Sequence, residues 1–192
     1  LPADATPGGH LRVGLSRADM QYSNLIRHPD RVPLINGFIQ EPLARHHPDD
    51  PTRFVKGLAD SVEISDGGRT FTIKLREGVR WPTPPHPQVE EEKFGFLKEP
   101  HEVNVEDIMF TIGLYFGPQQ QAGATGFEGM ESIKPIDEHT VKITWKFPSH
   151  EALVLLMSLR LQPKWLFSRD LGGKVMPDQM LVPLYDKHWA HA

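Results

Sequence analysis

Short alternating runs dominate the hydrophobic pattern of the chain. In "SVEIS" and "TFTIKL" apolar and polar positions alternate, and the linking Asp66-Gly67-Gly68-Arg69 readily takes positive φ. The pattern predicts a β-hairpin with Phe71, Ile73 and Leu75 on one face and Thr70, Thr72, Lys74 and Arg76 on the other. A second hairpin is predicted from "ESIKPI" and "TVKITWKF" around Asp137-Glu138-His139, with Val141, Ile143 and Trp145 sharing a face. Leu11, Val13 and Leu15 in "HLRVGL" predict a short strand after Gly8-Gly9.

Helical spacing is confined to a few segments. Asn104 can cap a helix whose first turn carries Glu106 and Asp107, and Val105, Ile108, Met109, Ile112 and Phe116 follow it at helical intervals up to Gly117-Pro118. Residues 32–43, "VPLINGFIQEPL", predict a short helix opened by Pro33 and ended by Pro42, after which "HHPDDP" predicts a turn. Ser149 is placed to cap an apolar helix reaching Leu159, and Pro163 to open a helical turn that Gly172-Gly173 ends. Residues 82–102 hold no period, carry five prolines and the acidic run Glu90 to Glu92, and are expected to be an excursion, most simply a solvated loop, with partner contact as the other reading. Strand, hairpin, helix, hairpin and helices in that order predict an α+β fold with antiparallel strands.

Composition narrows the function classes. A formal charge of −4 with scattered Lys and Arg argues against a nucleic-acid partner. Without cysteine there is no thiolate nucleophile, disulfide or cysteine-based zinc site, and the redox compartment stays open. The apolar run from Ala152 to Met157 is too short to span a bilayer, and "LPADATPGGH" lacks the pattern of a signal peptide, resembling the polar start of a processed chain. No nucleophile elbow or phosphate-binding loop occurs, and neither His101-Glu102 nor His150-Glu151 is completed to H-E-x-x-H, so no enzyme and no cofactor are expected. Of the histidine pairs, His46-His47 would point apart in an extended segment, whereas His188 and His191 could meet on a helix; the expectation is solvated histidines and no metal site.

Several phrases, in order, resemble the family 5 extracellular solute-binding proteins, the oligopeptide, dipeptide and nickel receptors of ABC importers. "GGHLRVGL" resembles that family's opening strand, and "EPLARHHPDD" its "YEPLVRYDPDG". "VKGLADSVEISDGGRTFTIKLREGVRW" is similar to "PGLAESWEVSDDGKTYTFKLRKGVKF", "VNVEDIMFTI" to "VTAEDVVFSL", "IKPIDEHTVKITWKFPS" to "VEVVDDYTVRITLKEPN", and "LQPKWLF" to "IVPKHLL". One departure stands out: the family passes from strand to helix through a short turn, whereas here residues 82–102 intervene.

The resemblance implies a periplasmic-binding-protein-like fold of class II, met here as its N-terminal portion and incomplete without the C-terminal lobe. Residues 1–31 would be a strand and cleft loop of the first lobe, 32–168 the smaller α+β domain with insertion 82–102, and 169–192 the return toward the first lobe. It further implies a receptor, periplasmic or on the cell surface, that closes two lobes on a peptide or peptide-like solute without covalent chemistry. The expected partners are the solute, the importer's membrane subunits and the remainder of the receptor. By the same resemblance the loop after the first strand lines the cleft, making Arg17, Asp19, Met20 and Tyr22 candidate ligand contacts, with an ordinary surface loop as the plainer reading. Trp81, at the end of a strand, is a candidate cleft wall or a core residue, whereas Trp145 is expected in the core. A nickel, metal-complex or haem receptor on the same scaffold, and an interaction module outside transport, are the alternatives.

Overall fold

A computed structural model describes residues 40–83, 95–115, 127–170 and 173–178. The first described segment is extended: the Pro42 carbonyl accepts the Leu58 N–H, and the Leu43 carbonyl accepts those of Gly57 and Ala59. Residues 40–43 are therefore not the end of a helix, and the rest of the helix expected over 32–43 lies outside the described residues. The reason is local, since Pro42 has no N–H to give a helix and bridges Arg160 instead. Strands β1 (Ala44–His47) and β2 (Asp50–Lys56) follow as a hairpin turning at Pro48-Asp49, so the expected turn sits between two strands that the pattern had not revealed.

Strands β3 (Ala59–Ser65) and β4 (Thr70–Leu75) form the first predicted hairpin. Its link runs through positive φ at Asp66, Gly67 and Gly68. After it the chain leaves and re-enters at one place: Trp81 N–H donates to the His101 carbonyl and Val103 N–H to that of Val79, at 2.8 Å each. Within the excursion, residues Gly95–Lys98 wind into a short 3-10 helix, which corrects the expectation of a segment without any element. Phe96 explains it, packing edge-on against Trp165 far along the chain.

Helix α1 (Val105–Tyr115) begins where the capping signal placed it, with Asn104 Oδ1 accepting the Glu106 N–H at 2.9 Å. Strands β5 (Met130–Pro135) and β6 (Thr140–Trp145) complete an antiparallel sheet of order β3-β4-β6-β5. The register sets Phe71 opposite Ile143 and Ile73 opposite Val141, so both hairpins turn the same face inward. Those four side chains are at most 1% exposed, which stabilises the sheet by about 1.5–3 kcal/mol for each large one.

Val105, Ile108 and Ile112 seal α1 onto this core, while Phe110 and Leu114 are buried on its other side. Phe110 stacks on Phe167 there, so Phe110 takes a place that the spacing had given to the half-buried Met109. Helix α2 (His150–Met157) is capped by Ser149, whose Oγ accepts the Ala152 N–H at 3.0 Å, as its sequence signal indicates. Helix α3 (Lys164–Phe167) starts after Pro163 but stops at Ser168, short of the glycines expected to end it. Gly173, at φ 81°, instead serves a following turn in which its N–H returns to the Asp170 carbonyl.

Candidate functional site

Trp81 stands where the sheet hands over to the excursion, half-buried against the core. Its indole N–H donates to Asp107 Oδ2 at 2.9 Å. Asp107 is only 2% exposed, and a buried carboxylate is tolerable when its oxygens are fully engaged. Here they are: Oδ2 also accepts the Asn104 N–H at 3.3 Å, and Oδ1 accepts the Lys164 N–H at 2.8 Å. One side chain thus joins the end of the β4 arm, the start of α1 and the start of α3. Burial outweighs these bonds and raises the Asp107 pKa above the ordinary aspartate range.

The connection continues down α1. Thr111 donates its hydroxyl to the Asp107 carbonyl at 2.6 Å and accepts the Gln162 N–H at 2.7 Å, a buried relay that fixes the segment before α3. Beside it a cavity of about 360 Å³ opens between the excursion's return limb, α1 and α3. One wall is aromatic, His101 lying flat on Trp165 with ring centroids 3.8 Å apart. The lining also carries the acids Glu102, Glu106 and Glu138. Lys164 Nζ approaches Glu106 at 2.6 Å and Asp178 at 3.2 Å.

Glu102 is the latch of the return limb. Its Oε1 accepts the Gly78 N–H at 2.5 Å and meets His139 Nε2 at 3.2 Å. The Gly78 bond, then the His139 contact, hold its pKa below the ordinary glutamate range. A depressed carboxylate contributes stability above its unfolded pKa that is lost as pH falls through the folded one. The urea midpoint should therefore fall on acidification, and Glu102→Gln should flatten that acid limb; an unchanged slope in the variant would contradict the latch.

Of the sequence-derived site residues, Trp81 falls within the described region, with its N–H committed to Asp107. Arg17, Asp19, Met20 and Tyr22 lie outside it. His46 packs on Phe54 and His47 Nδ1 accepts the Asp49 N–H, so the two neighbours are engaged separately. His188 and His191 lie outside the described residues, among which no group of three His, Cys, Asp or Glu side chains is arranged to hold a metal. The Asp107 junction was missed because an acid in a first turn normally reads as a solvated helix-dipole partner. Apolar positions on both sides of it, Ile108 and Phe110, carried the signal that α1 is covered twice.

Residues 53–179 match the bacterial extracellular solute-binding proteins, family 5 Middle. The chain is 30% identical over 105 residues to di/tripeptide-binding protein 1 of Pseudomonas aeruginosa, covering 48% of this chain and 18% of that protein. It is 27% identical over 129 residues to the dipeptide-binding protein of Escherichia coli, covering 61% and 21%. It thus spans about a fifth of the length of these curated relatives. The fold matches the periplasmic binding protein DppA of Helicobacter pylori, solved with peptide STSA, at TM-score 0.56 and 21% identity over 70% of this chain and 27% of that one. The hairpin, helix and hairpin that build the sheet lie wholly inside the matched region, and the chain belongs to the bacterial extracellular solute-binding proteins of family 5.

Proposed function

We propose that the chain is part of a receptor that binds peptides or peptide-like solutes outside the cytoplasmic membrane and delivers them to the membrane subunits of an ABC importer. The observation that carries this reading is the continuous family match over residues 53–179, joined by relatives whose names specify di- and tripeptides. Binding is by closure of two lobes, with no covalent step. Main-chain hydrogen bonds supply affinity across sequences, and hydrated side-chain pockets supply tolerance.

In this reading residues 32–168 are the smaller domain beside the first lobe, and residues 1–31 and 169–192 belong with that lobe. Arg17, Asp19, Met20 and Tyr22 contact the solute, offering both charges, a thioether and a phenol. Trp81 contributes through its ring, since its N–H is held by Asp107. Among the described residues no helix is long and apolar enough to cross a membrane.

The groups that fix the solute's ends lie largely on the remainder of the receptor. The 192 residues alone should bind di- to pentapeptides weakly or not at all by calorimetry. Submicromolar binding by this chain in isolation would show that the cleft is not shared with another lobe.

A further inference from the structure

Four carboxylates line the cavity between the excursion's return limb, α1 and α3, against one ammonium. Three of the four are committed: Asp107 to its N–H donors, Glu106 to Lys164, and Glu102 to Gly78 and His139. Glu138 is different. It is exposed at the β5–β6 turn, its backbone carbonyl accepts the Val105 N–H at 2.9 Å, and its carboxylate engages no described residue. The lining therefore combines one uncommitted carboxylate with the stacked His101–Trp165 pair.

We propose that this cavity binds an organic cation, a guanidinium group above all, between Glu138 and the His101–Trp165 wall. A planar, weakly hydrated guanidinium can lie against an aromatic surface and present its N–H fork to a carboxylate at once, which an ammonium cannot do equally well. A neighbouring contact is of this kind: the Arg169 guanidinium carbon sits 4.0 Å from the centroid of Phe96, itself packed on Trp165. At about 360 Å³ the space suits one arginine side chain. It lies within the smaller domain and is independent of which solute the receptor's cleft carries. The cation's source is an arginine of a peptide or of a protein partner.

The test is a titration of the full 192-residue chain with N-acetyl-arginine amide, N-acetyl-lysine amide and neutral N-acetyl-norleucine amide. It is read by NMR at the Trp165 indole N–H, assigned by its loss in Trp165→Phe, and at the Glu138 amide. Arginine should give saturable shifts at both, lysine weaker ones and norleucine none. Glu138→Gln disturbs no side-chain bond and should weaken arginine binding roughly five-fold, the size of one exposed ion pair. His150→Ala, at a residue lining a different cavity, should leave it unchanged. Equal shifts with norleucine, non-saturating shifts, or arginine binding unaltered in Glu138→Gln would each overturn the proposal. If the small arginine probe binds, an arginine-bearing and a lysine-bearing tripeptide should repeat the ranking; failure to do so restricts the source to a protein partner.

Discussion

Asp107→Ala should lower the unfolding free energy by about 3 kcal/mol, because the Trp81 indole N–H and the Lys164 and Asn104 amides lose a buried acceptor. Trp81→Phe removes one of these bonds and should cost about 1 kcal/mol. In the double variant that cost should largely vanish, the two residues sharing one interaction. The pH dependence has a definite sign. Asp107 has a folded pKa raised by burial, so the stability it confers is complete below the ordinary aspartate range and declines as pH rises through the folded value. The loss in Asp107→Ala should therefore be larger in urea titrations near pH 4 than near pH 8. Glu102 works in the opposite direction, which lets the two groups be separated by single substitutions.

Gly57→Ala should cost about 3 kcal/mol, the upper range of overpacking, although it adds only a methyl group. A Cβ at Gly57 would stand 2.9 Å from the Leu43 carbonyl oxygen and closer still to that of Pro42. Both oxygens belong to backbone fixed by the bonds from Gly57, Leu58 and Ala59, so no flexible side chain can yield. Gly113 offers the contrast: inside α1, a Cβ there would meet nothing within 4 Å. Gly113→Ala should raise stability by about 0.5–1 kcal/mol through backbone entropy. Equal effects of the two substitutions in urea unfolding would show that the close approach at Gly57 does not govern the join between residues 42–43 and the sheet.

Both hairpins of the sheet were legible because their alternation is undiluted: Phe71, Ile73 and Leu75, and Val141, Ile143 and Trp145, are the buried faces that period two assigns. The Ser149 cap and the start of α1 were legible from local side-chain chemistry. Strands β1 and β2 were not, because Arg45, His46 and His47 show no apolar alternation and Pro48 and Pro51 suggest loop. Backbone pairing and the His46–Phe54 contact hold that hairpin.

The excursion was legible as an interruption, but not the fact that its ends meet. Pairing of residues 79–81 with 101–103 depends on partners far apart in the chain, and so does the docking of Phe96 and His101 on Trp165. The Asp107 junction escaped for the same reason. Its burial is decided by α3 and Trp81, neither of which local spacing could place against α1.

The measurement that bears most directly on the central claim is calorimetry of the native product purified from its cells. Titrated with mixed di- to pentapeptides, it should show saturable binding, stronger than that of the 192-residue chain and weakened by replacing Arg17 and Asp19. A native product that takes up no peptide of two to five residues would contradict the account.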